Sequence, residues 1–235
     1  QTEVRNRMDA RQRLKEKQKK GEPLTPSVLA KVEESLSRAD LSNLVRRQFI
    51  CRGDSKMVPE QLFSELFISI QDLRETILPG VNLVSNRWLF QHMTEVLDKR
   101  MLNYLCKRTF KTHASSFSIN LNLGTLTSRD FDKFDETVRR KWPGNVIIEL
   151  NQVDLFSNLE TYLRLRDEFH ERGYRVLIDN LTVEALSFVD RKSLKADFIK
   201  VAWREEMTDN VIRKKYSEMD SLVKNSGRER VILCR

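Results

Sequence analysis

Four strand-like segments each carry one polar residue of a kind that does chemistry. They are Asn120 in FSINLNL (Phe117–Leu123), Glu149 in NVIIEL (Asn145–Leu150), Asp179 in RVLIDN (Arg175–Asn180) and Lys200 in DFIKVAW (Asp197–Trp203). Strand side chains alternate between faces. In each segment the polar residue therefore opposes an apolar set: Ile119 and Leu121, Val146 and Ile148, Val176 and Ile178, Ile199 and Val201. A single satisfied Asn or Asp on a strand is common, but four in register, with Glu, Asp and Lys among them, point to a site, present or vestigial. Asn120, Glu149 and Asp179 are hard oxygen donors of the kind that suits Mg²⁺ or Mn²⁺. Lys200 among them would hold an anion or a water, or lower its neighbours' pKa. Together they describe a metal-assisted phosphoester site. Burying such groups unpaired is costly, so Asp179 and Lys200 are also expected to pair with each other.

The elements that carry these residues alternate. After FSINLNL comes a helix around Phe131–Lys141, and after NVIIEL one from about Asn158 to Arg172, stopped by Gly173. RVLIDN is followed by a helix around Val183–Arg191, DFIKVAW by one around Asp209–Lys224, and RVILCR reads as one more strand. Serial βα units with short loops imply a parallel sheet, as a barrel or an open doubly wound sheet. In a barrel the apolar set meets the helices, the polar set points inward, and sites form at the C-terminal ends of the strands. There is no GxGxxG and no GxxxxGK[ST], so the phosphate loops of nucleotide-binding open sheets are missing. Upstream, LFSELFISI (Leu62–Ile70) is strand-like, and Ser85 is placed to cap a long helix bearing Leu89, Met93, Leu97 and Met101. Thr25 and Pro26 read as a helix start, with Val28, Leu29, Val32 and Leu36 in one stripe and a break near Asp40.

Composition excludes several classes. The chain has 235 residues, 40% hydrophobic and 32% charged, enough for one large domain and an extension. No apolar run is long enough for a membrane-spanning helix. Cys51, Cys106 and Cys234 are few and unpaired in spacing, which argues for a reducing cytoplasm and against a disulfide framework. His92, His113 and His170 lie far apart and form no zinc motif. The net charge of +8 comes partly from VRNRMDARQRLKEKQKK, a basic, helix-prone stretch without aromatic residues. It reads as a solvated linker helix rather than a single-strand nucleic-acid surface. Gln1 in place of an initiator Met marks the chain as processed or part of a longer protein.

The residues together resemble the EAL domain family, the cyclic di-GMP phosphodiesterase barrels, over roughly Gln48–Arg235. FSINLNLGTLTSRDF is similar to the family's xxVNLSxxxLxxxxF, and VIIELNQ to LxLEITE. VLIDNLTVEALSFVDRKSLKADFIKV is similar to LALDDFGxGxSSLxxLxxLPxDxIKID, spacing included, and ELF at Glu65–Phe67 falls at the name-giving Glu-Ala-Leu. The resemblance implies an α/β fold: a TIM-like (β/α) barrel with an atypical antiparallel first strand. The family's last strand and helix have no counterpart in the sequence, so the barrel is expected to be incomplete at its C-terminal end. Residues 1–47 would form a basic helical extension, and 48–235 the barrel. It also implies that Glu65, Asn120, Glu149 and Asp179 hold metal, that Lys200 is the catalytic lysine, and that ligand contacts fall at Glu65, Phe67 and Ser69.

The departures are as specific as the matches. Ser69 stands where the family has a phosphate-contacting Arg, and a serine cannot replace a bidentate guanidinium. Asn180 replaces the second Asp of the family's Asp-Asp pair, Gln152 its second Glu, and Ala202 the Asp after the lysine. The loop Leu181–Glu184 lacks the family's glycines, and Cys234 falls at a Glu position. The resemblance then implies a degenerate domain: a pseudoenzyme and bacterial, cytoplasmic regulatory or interaction module with weak or no cyclic di-GMP binding. An active metal-dependent phosphodiesterase and a high-affinity cyclic di-GMP receptor are the alternatives. No cofactor is required on this reading, with Mg²⁺ or Mn²⁺ open at the vestigial or single-metal set. The expected partners are proteins or an upstream sensor domain, with a homodimer allowed and nucleic acid disfavoured.

Overall fold

A computed structural model of the chain describes residues 21–52, 59–107, 116–182, 184–202 and 223–234. The basic N-terminal stretch, His113, Val183, Trp203 and nearly all of the helix expected at Asp209–Lys224 lie outside the described residues. The chain divides into two compact units, one holding the residues up to Arg46 together with Ile68–Leu105, the other Arg47–Phe67 together with Cys106–Arg235. Ile68–Leu105 thus groups with the N-terminal segment, where the sequence suggests a single boundary between 47 and 48.

The first unit is mainly helical. Helix α1 (Pro26–Arg38) starts as its sequence dictates: the Thr25 hydroxyl accepts from the Val28 amide and proline occupies the first turn. Its stripe Leu29, Val32 and Leu36 packs with Leu73 of α2 (Ile70–Thr76) and with Met93 and Leu97 of α3 (Arg87–Lys107). Full burial of side chains of this size contributes about 1.5–3 kcal/mol each. The α3 cap is Asn86, whose Oδ1 accepts from the Trp88 and Leu89 amides. Ser85, the expected cap, instead accepts from the Leu24 amide and donates to the Asn82 carbonyl. A short parallel pair, β1 (Glu22–Pro23) with β4 (Val81–Asn82), joins the segment before α1 to the segment after α2. Gly21 sits beside it with φ +142°, and a Cβ there would lie 2.4 Å from the Gly80 carbonyl oxygen.

The second unit is built on a seven-stranded sheet: β2 (Val45–Arg52), β3 (Glu60–Ile68), β5 (Phe117–Asn120), β6 (Val146–Asn151), β7 (Arg175–Leu181), β8 (Phe198–Ala202) and β9 (Val231–Cys234), in that order. Every pair from β3 to β9 is parallel. Arg52 and Glu60 are too close in sequence for the crossover that a parallel pair needs, so β2 runs antiparallel to its neighbour β3. β2 is absent from the sequence reading, since VRRQFICR is mostly exposed, carries arginines on both faces and has little of the alternation that betrays a half-buried strand.

The sheet curls into a nearly closed, barrel-like wall. Along a flat sheet β3 and β8 would lie about 19 Å apart, four strand spacings. Instead the Phe63 ring on β3 sits 5.6 Å from the Phe198 ring on β8, and Ile50 on β2 shares an apolar cluster with Ile147, Leu177, Phe198 and Ile232. The outer face is covered by helices. Ser128 caps α4 (Arg129–Lys141) through the Phe131 amide. Phe131 packs at 5.7 Å on Phe169 of α6 (Leu159–Glu171), which follows the short α5 (Gln152–Ser157). After β7 the expected helix at Val183–Arg191 is only a 3-10 turn, Glu184–Ser187, followed by further turns.

Candidate functional site

The inward face of the sheet is layered. Phe63, Ile147, Leu177 and Phe198 form an apolar floor. Two residues further along the same strands stand Glu65, Glu149, Asp179 and Lys200. The period-2 alternation of β-structure alone converts the sequence pattern into this second layer.

Lys200 is its centre. Its Nζ donates to Glu65 Oε2 and to Glu149 Oε2, each at 2.9 Å, and lies 3.8 Å from Asp179 Oδ1. The second oxygens of both glutamates are also engaged. Ser118 Oγ donates to Glu149 Oε1 at 2.5 Å, and Asn120 Nδ2 to Glu65 Oε1 at 3.1 Å. Side-chain exposure rises from 0% at Glu149 through 7% at Lys200 and 10% at Glu65 to 23% at Asp179, so the layer opens on the Asp179 side. Asp179 and Lys200 do pair, but the shorter bonds of Lys200 go to the two glutamates.

Burial governs the electrostatics. It pushes the Glu149 carboxyl up to about 7, with Glu65 adding to the rise and Lys200 and Ser118 opposing it. Burial also raises Asp179 against the attraction of Lys200. For Lys200 burial acts downward, but the carboxylates of Glu149, Asp179 and Glu65 overcome it and hold the ammonium above its ordinary value. The Cys234 thiol at the end of β9 is raised by burial and then by the Asp179 carboxylate.

The structure therefore brings together Glu65, Asn120, Glu149, Asp179 and Lys200, residues up to 135 positions apart. Sequence reasoning passed over Ser118, whose hydroxyl is buried against Glu149; its place on the inward face of FSIN, two residues before Asn120, was the available signal. Phe67 is half-buried on β3, on the same side as Glu65. Ser69 belongs to the other compact unit, where its hydroxyl caps α2 by accepting from the Asp72 amide. Gln152 Nε2 donates to the Asn180 carbonyl at 2.6 Å. Asn180 itself has φ +64°, at a register irregularity between β7 and β8. Ala202 ends β8 opposite Cys234, which donates to the Val201 carbonyl. Two of the histidines have other partners: His92 pairs with Glu33, and His170 with Asp197 and the Arg166 carbonyl. Among the described residues no three His, Cys, Asp or Glu side chains are grouped so as to hold a metal ion.

No protein-family model matches the chain, and no curated protein matches it. Solved structures do. The EAL domain of FimX from Xanthomonas citri, in complex with c-diGMP, is 11% identical, covering 87% of this chain and 82% of that one at a TM-score of 0.53. A FimX EAL domain structure is 16% identical over 89% and 86%, at 0.55. The fold is EAL-like. A Vibrio cholerae LapD S helix-GGDEF-EAL chain bound to c-di-GMP gives 0.54 at 11% identity, covering 88% of this chain and 51% of that longer one. At these identities the likeness is one of fold. Among the described residues no helix is long and apolar enough to cross a membrane.

Proposed function

We propose that the chain is a catalytically inactive EAL-like module that acts through protein contacts in bacterial cyclic di-GMP signalling, in the cytoplasm, with weak or no cyclic di-GMP binding. The observation that carries this reading is the engagement of all four oxygens of Glu65 and Glu149 by donors of the chain itself. Carboxylates held in this way neutralise an internal ammonium. The residues that depart from the EAL pattern support the same view. Gln152 puts a neutral amide donor where that pattern has a carboxylate. Asn180 puts a neutral amide where it has the second aspartate. Ser69 offers a short hydroxyl, used as a helix cap, in place of a phosphate-binding guanidinium. The partners on this reading are proteins or an upstream sensor domain.

Two measurements test it. Incubation with cyclic di-GMP and Mg²⁺ or Mn²⁺, followed by mass spectrometry, is expected to yield no pGpG; turnover that Glu65→Ala abolishes would refute inactivity. Calorimetric titration with cyclic di-GMP, with and without Mg²⁺ or Ca²⁺, is expected to give little or no heat. Micromolar or tighter binding would replace the interaction-module reading by that of a receptor, the reading favoured by the ligand-bound state of the similar FimX and LapD structures.

A further inference from the structure

We infer that the ammonium of Lys200 is the resident cation of the inward carboxylate layer, and that it excludes the divalent ion which the EAL pattern would place among Glu65, Asn120, Glu149 and Asp179. The inference rests on the proposed function above and concerns the same residues. Its first support is geometric. The carboxylates of Glu65, Glu149 and Asp179 all face the ammonium of Lys200, with Nζ at 2.9, 2.9 and 3.8 Å from them. Mg²⁺ needs near-octahedral oxygen ligands at about 2.0–2.1 Å. A metal bound between the two glutamates would have to displace the ammonium from both.

The second support is the orientation of the remaining donors. Asn120, needed by the metal reading as an oxygen ligand, gives its amide nitrogen to Glu65. Ser118 donates to the glutamate oxygen that Lys200 leaves free. Each donor fits a carboxylate already neutralised by the chain. The third support lies one residue beyond Asp179. Asn180 offers a neutral side chain, and its backbone carbonyl is taken by Gln152. The side of the layer nearest solvent thus lacks the extra carboxylate that could recruit a metal from outside.

The test uses the whole chain, without the dinucleotide, so that its outcome is separable from turnover and from cyclic di-GMP binding. Free Mn²⁺ is followed by electron paramagnetic resonance during titration of the native chain, Lys200→Ala, Lys200→Gln and Glu149→Gln. The native chain is expected to take up no manganese that depends on Glu149. Lys200→Ala, or Lys200→Gln if alanine prevents folding, is expected to gain a site that Glu149→Gln removes again. That site should bind at least about tenfold more tightly than anything the native chain offers, a factor that corresponds to ~1.4 kcal/mol. Manganese uptake by the native chain that Glu149→Gln abolishes overturns the inference, with no variant at Lys200 needed. A folded Lys200 variant that gains no manganese site overturns it as well.

Discussion

Replacing Lys200 by methionine keeps the length of the side chain and removes its charge. The structure sets the size of the effect. Each 2.9 Å contact from Nζ to Glu65 and Glu149 corresponds to about 6 kcal/mol of Coulomb energy at an effective dielectric of ~20, before desolvation is subtracted. Desolvation takes back most of this in the intact cluster, but the carboxylates stay buried when the lysine goes. Removing one partner of a buried pair costs about 3–5 kcal/mol for that reason. Urea unfolding followed by tryptophan fluorescence gives the readout, since Trp142 packs edge-on against Phe117 of the same unit at 4.7 Å. With a typical slope of about 1–3 kcal/mol per molar urea, the midpoint should fall by roughly 1–5 M at neutral pH. The loss should also shrink as pH falls toward 5. Without Lys200, Glu149 gains protons in the folded state more readily than in the unfolded one, and stability then rises with acidification. Adding Glu149→Gln should restore part of the loss, because it removes one of the stranded charges. A loss below ~1 kcal/mol, or one independent of pH between 5 and 8, would refute the claim that this ammonium neutralises the layer.

The native chain should itself lose stability as pH rises from about 5 to 8. The folded-state value of Glu149 is raised to about 7, so its contribution is complete below the unfolded value and is lost as pH passes through 7. That contribution is on the order of 3 kcal/mol, and Glu149→Gln should flatten the slope in a series of urea titrations. Ser118→Ala strips Glu149 Oε1 of its donor inside the barrel-like wall and should cost about 1–3 kcal/mol, whereas Ser118→Thr, which keeps the hydroxyl, should cost less. Gln152→Glu removes the donor to the Asn180 carbonyl. It should accelerate amide hydrogen exchange around Asn180 and cost about 1 kcal/mol; unchanged exchange there would mean that the bond does not hold the irregularity in β7.

The inward layer was legible in the sequence because β-structure is periodic. Once Ile147, Glu149, Leu177, Asp179, Phe198 and Lys200 are assigned to strands, alternation puts them on one face with no tertiary information. Partner choice was not legible in the same way. Alternation says that Asp179 and Lys200 face the same side, but the curl of the wall decides that Glu65, four strands away, comes within 2.9 Å of Nζ. Local signals failed where a tertiary contact outbid them. Ser85 has the chemistry of a cap, yet its hydroxyl is committed to Leu24 and Asn82, and Asn86 takes the helix end. Val183–Arg191 has helix-compatible residues, but after Glu184–Ser187 the chain turns repeatedly to reach β8. β2 escaped because an edge strand with charged residues on both faces lacks the pattern that marks a buried one.

The split between residues that match the EAL pattern and residues that depart from it follows burial. Glu65, Glu149 and Lys200 are buried, bonded to one another and further held by Ser118 and Asn120. Loss of Lys200 leaves two carboxylates unpaired in the interior, a cost of several kcal/mol that can be a large share of the stability of a domain, and loss of either glutamate takes the acceptor from Ser118 or Asn120. Gln152, the first residue of α5, and Ala202, the last of β8, are half-buried, and Asn180 is exposed. There an amide or a methyl group can replace a carboxylate at little cost, and Gln152 even gains a bond to the backbone. Selection for folding alone would therefore keep the interior triad and leave its rim free to change. The glutamates and the lysine, taken by themselves, then argue for the barrel-like frame rather than for catalysis, and the chemistry has to be judged at the rim. On this argument Asn180→Asp should cost little in stability, since its side chain is exposed, while it returns a carboxylate beside Asp179. Manganese titration of Asn180→Asp combined with Lys200→Gln should then give tighter binding than Lys200→Gln alone, and equal affinity would show that the rim does not control access of a cation to the layer.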